Sequence, residues 1–157
     1  MRLTTKGRFA VTAMIDLALQ QSNGPVSLSG ISQRQNISLS YLEQLFAKLR
    51  RQSLVDSVRG PGGGYQITRA LHDVSVAEVI LAVDEPLDTT QCGGKKNCTD
   101  EGQCMTHELW SSLNQKMLEY LDSVSLQCLV DKHKAQHLEH IIAFREKPVL
   151  TNAASAA

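Results

Sequence analysis

The sequence predicts a mainly α-helical chain with one small β-hairpin, and three observations support this fold class. Apolar residues recur at helical spacing in several segments between residues 5 and 145. One segment of strand-forming residues surrounds a glycine-rich turn, which is typical of a hairpin. The longest purely apolar run, residues 79–83, has five residues. A helix needs roughly 20 to cross a membrane, so we expect neither a membrane-spanning helix nor a membrane partner.

Three helices are predicted in the first third of the 157-residue chain. The first covers residues 5–21, where the apolar positions have helical spacing. Ser27 is placed to cap a short second helix. Ser40 and Glu43 have the spacing of a capping box, so we expect them to open a third helix that ends near residue 52. Its apolar residues fall on one face: Leu42, Leu45, Phe46 and Leu49.

A hairpin and a fourth helix are predicted next. Strand-forming residues at 54–58 and 65–67 flank the segment Gly60-Pro61-Gly62-Gly63-Gly64, whose glycines allow a tight turn. Ser75 and Glu78 form a second capping-box pair, which predicts a short helix after the hairpin.

The C-terminal half is predicted to contain a polar loop and two helices. Apolar side chains recur at helical spacing from residue 106 to about residue 124, and too little chain lies beside this helix to cover them. Pairing with a second copy of the chain would bury the stripe, so we expect a homodimer. A last helix is expected at about residues 125–145. The stripe consists of Leu109, Trp110, Leu113, Met117, Leu118 and Leu121.

The charge is distributed unevenly along the chain. Residues 1–69 carry nine basic and three acidic side chains, a net charge of +6, and the remainder carries −6. A basic half indicates a polyanionic partner. Together with three helices followed by a glycine-tipped hairpin, it predicts a winged helix-turn-helix that binds double-stranded DNA. The alternative is a small helical domain with a hairpin and no nucleic-acid role.

This fold class divides the chain into four parts. We expect a winged helix-turn-helix domain at residues 1–85, a cysteine-containing loop at 86–105, a long dimerisation helix and a C-terminal helix at 106–145, and a disordered tail at 146–157. The glycine-rich segment is followed by a strand and lacks the Gly-Lys-Ser/Thr of a nucleotide-binding loop. We therefore discount a nucleotide-binding enzyme, and a DNA-binding regulator is not expected to be an enzyme of another kind.

The exposed face of the third helix carries the side chains that we expect to contact DNA. Gln44 can pair with adenine edges, and Glu43 can accept a hydrogen bond from the amino group of cytosine. Other residues of this helix suit the sugar-phosphate backbone, and the guanidinium at the glycine turn can reach a narrow minor groove. The predicted set is Ser40, Tyr41, Glu43, Gln44, Lys48, Arg51, Arg59 and Gly60.

Three of the four cysteines lie within thirteen residues and are followed closely by a histidine. The pattern is Cys92-x5-Cys98-x5-Cys104-x2-His107. Three thiolates and an imidazole can complete four-coordination around zinc or an iron–sulfur cluster. The paired Cys-x2-Cys hooks typical of zinc fingers are absent. The alternative interpretation is three unliganded thiols beside a surface histidine.

Three stretches carry a family resemblance: residues 2–8 (RLTTKGR), residues 37–46 (ISLSYLEQLF) and residues 57–65 (SVRGPGGGY). They closely resemble the IscR family of bacterial iron–sulfur assembly regulators, and the match covers roughly residues 1–130. The resemblance implies a cytoplasmic, homodimeric winged-helix regulator that binds a two-fold operator, controls iron–sulfur cluster assembly genes and works with the cluster-assembly machinery. It also implies a [2Fe–2S] cluster held by Cys92, Cys98, Cys104 and His107.

Other functions use the same ligands. One alternative is a nitric-oxide-sensing or redox-sensing regulator of the same family. The related nitric-oxide sensors share three cysteines, and the Cys-x2-His of this chain favours the iron–sulfur assembly regulators over them. An iron–sulfur carrier or electron-transfer protein is a different class, against which the basic half and the hairpin argue. A DNA-binding protein that is stabilised by zinc and senses nothing is the third alternative.

Overall fold

A computed structural model describes residues 5–85, 87–88, 90, 92–93, 95–98 and 102–145 of the chain. It confirms the predicted fold class, because the described part is mostly helical and contains one two-stranded antiparallel hairpin. The predicted tail at 146–157 lies outside the described residues. None of the helices in the described ranges is long and apolar enough to cross a membrane. The elements are α1 (Thr5–Gln20), α2 (Leu28–Gln35), α3 (Leu39–Arg51), β1 (Val55–Val58), β2 (Gly64–Ile67), α4 (Val76–Ala82), α5 (His107–Ser123) and α6 (Leu126–Arg145).

An ion pair joins α1 to α2. Asp16 lies on the inner face of α1 and is only 4% exposed. The Arg34 guanidinium donates to both of its carboxylate oxygens at 2.6–3.1 Å, and Gln35 Nε2 donates at 2.7 Å. The hydrogen bond from Arg34 to Asp16 raises the pKa of the guanidinium. A buried carboxylate with charged and neutral donors is satisfied, so this contact fixes the angle between the two helices.

Helix α3 begins two residues earlier than the capping-box spacing predicted. Ser38 is the N-cap, with extended backbone, and its Oγ accepts a hydrogen bond from the amide of Tyr41 at 3.3 Å. The prediction that Ser40 and Glu43 cap the helix is therefore wrong. Only three residues connect α2 to α3, and the left-handed backbone of Asn36 ends α2 within this short turn. The cap must then fall at the third of them, and Ser40 and Glu43 lie inside the first turns of α3.

The hairpin is anchored to the helices through its second strand. Val55 pairs with Ile67 and Val58 with Gly64 across the two strands. Tyr65 exchanges two backbone hydrogen bonds with Val26 at 2.8 and 2.9 Å, and its ring packs edge-on against Phe46 of α3. A Cβ at Gly64 would collide with the backbone of Val26. Glycine at this position therefore lets the hairpin lie directly against the loop before α2.

The beginning of α4 is also where the start of α6 joins the N-terminal core. Both halves of the predicted capping box are present, between the side chain of Ser75 and that of Glu78. The Val76 amide donates to the Val124 carbonyl, and the Leu126 amide donates to the Val74 carbonyl. Leu126 is fully buried in the hydrophobic core formed by α1 to α4 and the hairpin. The first turn of α6 thus belongs to the core of the N-terminal half.

Helix α5 lies across this body with little of its surface covered. His107 is its one buried residue. Leu109 is 62% exposed, and Trp110 and Leu118 are about 40% exposed. The predicted stripe is therefore partly open on the single chain, since Leu113, Met117 and Leu121 are half-buried. Apolar surface of this extent on one helix is typical of an interaction surface.

Candidate metal centre and nucleic-acid interface

The outer face of α3 is mostly open to solvent. Ser40, Glu43, Gln44 and Arg51 are exposed, whereas the opposite face is buried in the core. Tyr41 differs from its neighbours, because its ring is half-buried and packs edge-on against Phe9 of α1 with centroids 5.9 Å apart. The phenol is therefore held in place by packing before any contact with DNA.

The hairpin tip carries the other two predicted DNA contacts. Arg59 and Gly60 are both exposed, and Gly60 has φ +109°, which an L side chain rarely adopts. The Gly63 amide donates to the Gly60 carbonyl at 2.9 Å and closes the turn. The tip therefore presents Arg59 on a defined turn.

Lys48 has an intramolecular partner that the sequence did not reveal. Its Nζ lies 2.8 Å from Oδ2 of Asp84, two residues beyond the end of α4. The hydrogen bond and charge of Lys48 lower the pKa of Asp84, and the charges of Lys6 and Arg51 lower it further. One carboxylate thus experiences the positive charges of three side chains from α1 and α3. The two partners are 36 residues apart in the sequence. A local sequence pattern therefore cannot predict this contact.

The sequence-predicted metal ligands converge at the beginning of α5. The Sγ atoms of Cys92 and Cys98 are 3.3 Å apart, and His107 Nδ1 lies 3.4 Å from the first and 3.3 Å from the second. The three ligand atoms lie within 4.8 Å of one another. Cys92 and Cys98 are half-buried, and His107 is 3% exposed. Soft thiolate and imidazole donors at this spacing suit a transition metal.

Cys104, the remaining predicted ligand, lies beside this triangle and not within it. Its Sγ is 3.7 Å from Oγ1 of Thr106, and this hydroxyl, followed by the Cys98 thiol, lowers the pKa of Cys104. Opposing effects act on the pKa of Cys98. The backbone of Cys104 lowers it, whereas the Cys92 thiol, burial and the Cys104 thiol raise it. The net pKa of Cys98 is raised. Cys104 is therefore a neighbour of Cys98 whose thiol is more readily ionised.

A second contact ties the cysteine loop to α5. Asp88 Oδ1 accepts from the amide and the hydroxyl of Thr90, both at 2.7 Å, and from Asn114 Nδ2 at 2.7 Å. These contacts lower the pKa of Asp88, Thr90 first, and the charge of His107 adds to them. The predicted site set did not include Asp88. Its local signal was the Asp-x-Thr spacing, which favours a side-chain-closed turn.

The geometry defines a class of protein. An exposed polar helix, a glycine-tipped hairpin anchored beside it and a basic N-terminal half form the DNA-binding unit of winged-helix regulators. The Rrf2 family, described as iron-dependent transcriptional regulators, matches residues 3–132. The chain belongs to the Rrf2 family. It is a DNA-binding transcriptional regulator and not an enzyme.

Relatives within this family are similar over most of their length. An HTH-type transcriptional regulator of Azotobacter vinelandii, ORF2, is 60% identical over 138 residues, which is 88% of this chain and 84% of the relative. The HTH-type transcriptional regulator IscR of Xenorhabdus nematophila is 57% identical over 130 residues, 83% of this chain and 79% of the relative. The resemblance noted in the sequence is thereby confirmed.

Solved structures agree with the fold. The structure of T. potens IscR has a TM-score of 0.71 and 35% identity, covering 87% of this chain and 91% of that one. The structure of CymR, the global cysteine regulator of B. subtilis, has a TM-score of 0.72 and 32% identity, covering 84% and 98%. These neighbours have the same architecture.

Proposed function

We propose that this chain is a homodimeric regulator whose choice of DNA sites depends on a [2Fe–2S] cluster held by Cys92, Cys98, Cys104 and His107. The observation that carries the proposal is the triangle of Cys92, Cys98 and His107 donor atoms, with sides of 3.3–3.4 Å. The IscR-named relatives support control of iron–sulfur assembly genes. Cluster loading by the assembly machinery in the cytoplasm is part of the same proposal.

The donor set fits such a cluster. Cysteine thiolates are its usual ligands, and a histidine in place of one thiolate is a known variation that raises the potential. When bound, the cluster supplies a redox-active centre whose presence can vary with the supply of iron. The neighbouring Cys104 can provide the fourth ligand after a local rearrangement of the residues around Thr106.

The chain has a physical route from this centre to the DNA-reading helix. His107 opens α5, and Asp88 joins the loop to Asn114 of α5. Before the loop, Glu85 accepts a hydrogen bond from the Gly7 amide of α1 at 3.3 Å, and α1 packs against α3. Ligation restrains the loop, and the restraint acts on both anchors. To change the choice of sites, the loaded and empty forms must differ in their interaction free energy with a given site.

Base reading is assigned to the exposed polar residues of α3. Gln44 and Ser40 face outward with Glu43, which caps nothing and lies within the first turns of the helix. We assign the discrimination between sites to Glu43, because a carboxylate at a DNA surface is favourable only where it finds a donor such as a cytosine amino group. Tyr41, Lys48 and Arg51 contact the backbone, and Arg59 with Gly60 contacts the groove beside the hairpin.

Dimerisation through α5 supplies the two-fold symmetry of the operator. The stripe residues Leu109 and Leu118 are 62% and 41% exposed in the single chain. A second copy packed on α5 would cover them and would place two copies of α3 for two half-sites.

The test is anaerobic DNA binding by cluster-loaded protein and by a cluster-free variant. The triple variant Cys92→Ala, Cys98→Ala, Cys104→Ala should fold and bind DNA, but lose the differences between sites that the loaded protein shows on a panel of operator sequences. The single variant Cys128→Ala is the control, because it removes a thiol of α6 outside the cluster loop. Equal affinities of the loaded protein and the triple variant across the whole panel would refute cluster-dependent selection.

A zinc site is the second candidate, because two thiolates and an imidazole also suit zinc. Sulfurs bound to one tetrahedral zinc lie roughly 3.8 Å apart, given a Zn–S distance of about 2.3 Å. The 3.3 Å between Cys92 and Cys98 is close to this spacing, which two cysteines on one tetrahedral iron share. The visible spectrum and the iron, sulfide and zinc content of anaerobically purified protein decide between the two. A colourless protein with one zinc per chain would show that the site holds zinc and not a cluster.

A further inference from the structure

The contact between Lys48 and Asp84 places an anion on the proposed DNA-binding surface. Lys48 lies one helical turn beyond Gln44 on α3, so both residues share a face. Its Nζ lies 2.8 Å from Oδ2 of Asp84, and Asp84 is 74% exposed. The carboxylate therefore sits at the surface, on the side chain that we assign to a DNA phosphate.

We propose that Asp84 is an internal competitor of DNA phosphate: in the free protein its carboxylate occupies the place of a phosphate at Lys48. This inference rests on the proposed placement of α3 against DNA. A carboxylate and a phosphodiester each offer singly charged oxygen acceptors to an ammonium group. Asp84 is thus a chemical substitute for the ligand of the site.

The composition of the site agrees with a phosphate ligand. Lys6 comes from the first turn of α1, and Lys48 and Arg51 come from the second half of α3. The hydrogen bond and charge of Lys48 lower the pKa of Asp84, and the charges of Lys6 and Arg51 lower it further, so the potential at this carboxylate is positive. The same potential attracts an incoming phosphate.

Asp84 is held where it can compete but is not held tightly. The next residue, Glu85, is 3% exposed and accepts a hydrogen bond from the Gly7 amide at 3.3 Å, which anchors the chain beside α1. The side chain of Asp84 itself is mostly in water. Exposed ion pairs contribute little to stability, so a DNA phosphate can displace the carboxylate.

Competition of this kind has a signature in the salt dependence. Binding of a lysine to a phosphate normally releases a condensed counterion, which gives a slope of about −0.9 in log K against log salt. A lysine already neutralised by Asp84 contributes less to this slope. Removing the carboxylate should therefore raise the affinity and also make the salt slope steeper.

The experiment compares Asp84→Asn with the wild-type protein, using a random-sequence duplex and a duplex that the wild-type protein selects from a randomised pool. Asparagine tolerates the left-handed backbone of position 84, where φ is +55°, so the variant should fold. We expect about two- to fivefold tighter binding to both duplexes at low salt and a slope steeper by up to about one.

Two controls locate the effect. Asp131→Asn makes the same change in net charge at an exposed position of α6 and should leave affinity and slope nearly unchanged. In a Lys48→Met background, the gain from Asp84→Asn should shrink to the contribution of Lys6 and Arg51. Equal gains from Asp131→Asn, an undiminished gain without Lys48, or weaker binding by Asp84→Asn would each overturn the proposal.

The outcomes also separate this inference from the proposed function. Asp84→Asn affects the random duplex and the selected duplex alike, whether or not a cluster is bound. If the loaded protein selects sites and Asp84→Asn binds like the wild type, the competitor is refuted and the proposed function stands. If Asp84→Asn binds more tightly with a steeper slope while loading changes no preference, the proposed function fails and the competitor stands.

Discussion

Two polar clusters of this molecule each join two segments of the chain, but their chemical groups differ. Asp16, Arg34 and Gln35 join α1 to α2 through one carboxylate and its donors, including a guanidinium hydrogen bond of 2.6 Å. Cys92, Cys98 and His107 join the cysteine loop to α5 through three Lewis bases at 3.3–3.4 Å. In the first cluster, hydrogen-bond donors satisfy the carboxylate, so no further ligand is needed. The second cluster contains only electron-pair donors, which a metal ion can bind together.

The same difference separates the regions around the two clusters. Helices α1 to α4, the hairpin and the first turn of α6 share one buried core. Helix α5 buries only His107 and exposes Leu109 and Trp110. The N-terminal region can therefore fold from its own contacts. In the proposed function, the loop and α5 gain further contacts from a metal and from a second copy of the chain.

The largest expected effect is on α5. Leu113→Glu would place a carboxylate in the stripe that we expect to be buried between two subunits, and an unpaired buried charge costs several kcal/mol. We expect the dimer dissociation constant to rise by more than about 100-fold, which corresponds to about 2.7 kcal/mol. Sedimentation velocity over a concentration series measures this.

Gln115→Glu is the matched control, because Gln115 is exposed on the opposite side of α5. It should remain dimeric. If Leu113→Glu sediments as a stable dimer that binds DNA, the dimer contact lies on another surface and α5 is not the partner-dependent element.

The second expected effect is on the first cluster. Asp16→Ala removes the acceptor of Arg34 and Gln35, and lost buried hydrogen bonds of this kind cost about 1–3 kcal/mol. Arg34 is 39% exposed, so water can solvate its guanidinium and keep the loss within this range. Urea unfolding should show the same loss for cluster-loaded and cluster-free protein.

Asp131→Ala, at an exposed acid of α6, should change the unfolding free energy by no more than about 0.5 kcal/mol. A loss for Asp16→Ala that occurs only in loaded protein would show that the N-terminal region depends on the metal. The comparison of the two regions would then be wrong.

Sequence reasoning was most successful where local rules and burial agree. The Ser75–Glu78 capping box and the glycine-tipped hairpin follow from spacing alone, and both are present. At α3, Ser38 and Ser40 are both possible caps. Ser38 is the cap because only three residues connect α2 to α3. The packing of the two helices sets this length, and the capping pattern in the sequence does not contain it.

The contacts that the sequence could not predict join residues far apart in the chain. Lys48 and Asp84 are such a pair, and so are Asp88 and Asn114. Each residue alone has the composition of a solvated surface. The cysteines were predictable as a group because three of them lie close together, whereas the position of Cys104 beside the triangle depends on the local fold near Thr106.

The third prediction tests base recognition by α3, which lies in the N-terminal region. Gln44→Ala should lose about 1–3 kcal/mol at sites that have the contacted base pair and little at others, so preference at one position is relaxed. Selection from a randomised pool, followed by affinity measurements on single-base variants, detects this. Gln33→Ala, at an exposed residue of α2, is the control and should leave base preference unchanged. Equal losses on every sequence would show that Gln44 contacts the backbone.

The smallest expected effect concerns the capping box of α4 and its dependence on pH. The Glu78 carboxylate accepts from the Ser75 amide at 3.0 Å and from Arg69 at 2.8 Å. Burial raises the pKa of Glu78, but the bonds from Arg69 and Ser75 outweigh it, and the net direction is down. A folded-state pKa below the unfolded value gives stability that is present above the unfolded pKa. This stability is lost as the pH falls through the folded-state pKa.

Two substitutions separate the charge from the cap. Glu78→Gln can still accept from the Ser75 amide, because glutamine also serves in a capping box, but it loses the ion pair with Arg69. Glu78→Ala loses both. Because Glu78 is 40% exposed, screening limits the ion pair to less than about 1 kcal/mol. At pH 7 we therefore expect Glu78→Gln to lose a few tenths of a kcal/mol and Glu78→Ala to lose about 1 kcal/mol.

The advantage of the wild-type carboxylate over Glu78→Gln should begin to shrink below the ordinary pKa of a glutamate, about 4.3, and should disappear as the pH falls through the lower folded-state pKa. Urea unfolding of the three proteins between pH 3 and pH 7 measures this convergence. Because the cap lies within the N-terminal region, the plots of unfolding free energy against pH should be the same for cluster-loaded and cluster-free protein, at the pH values where the cluster survives. A gap between wild type and Glu78→Gln that stays constant down to pH 3 would mean that the charge of Glu78 contributes nothing through Arg69.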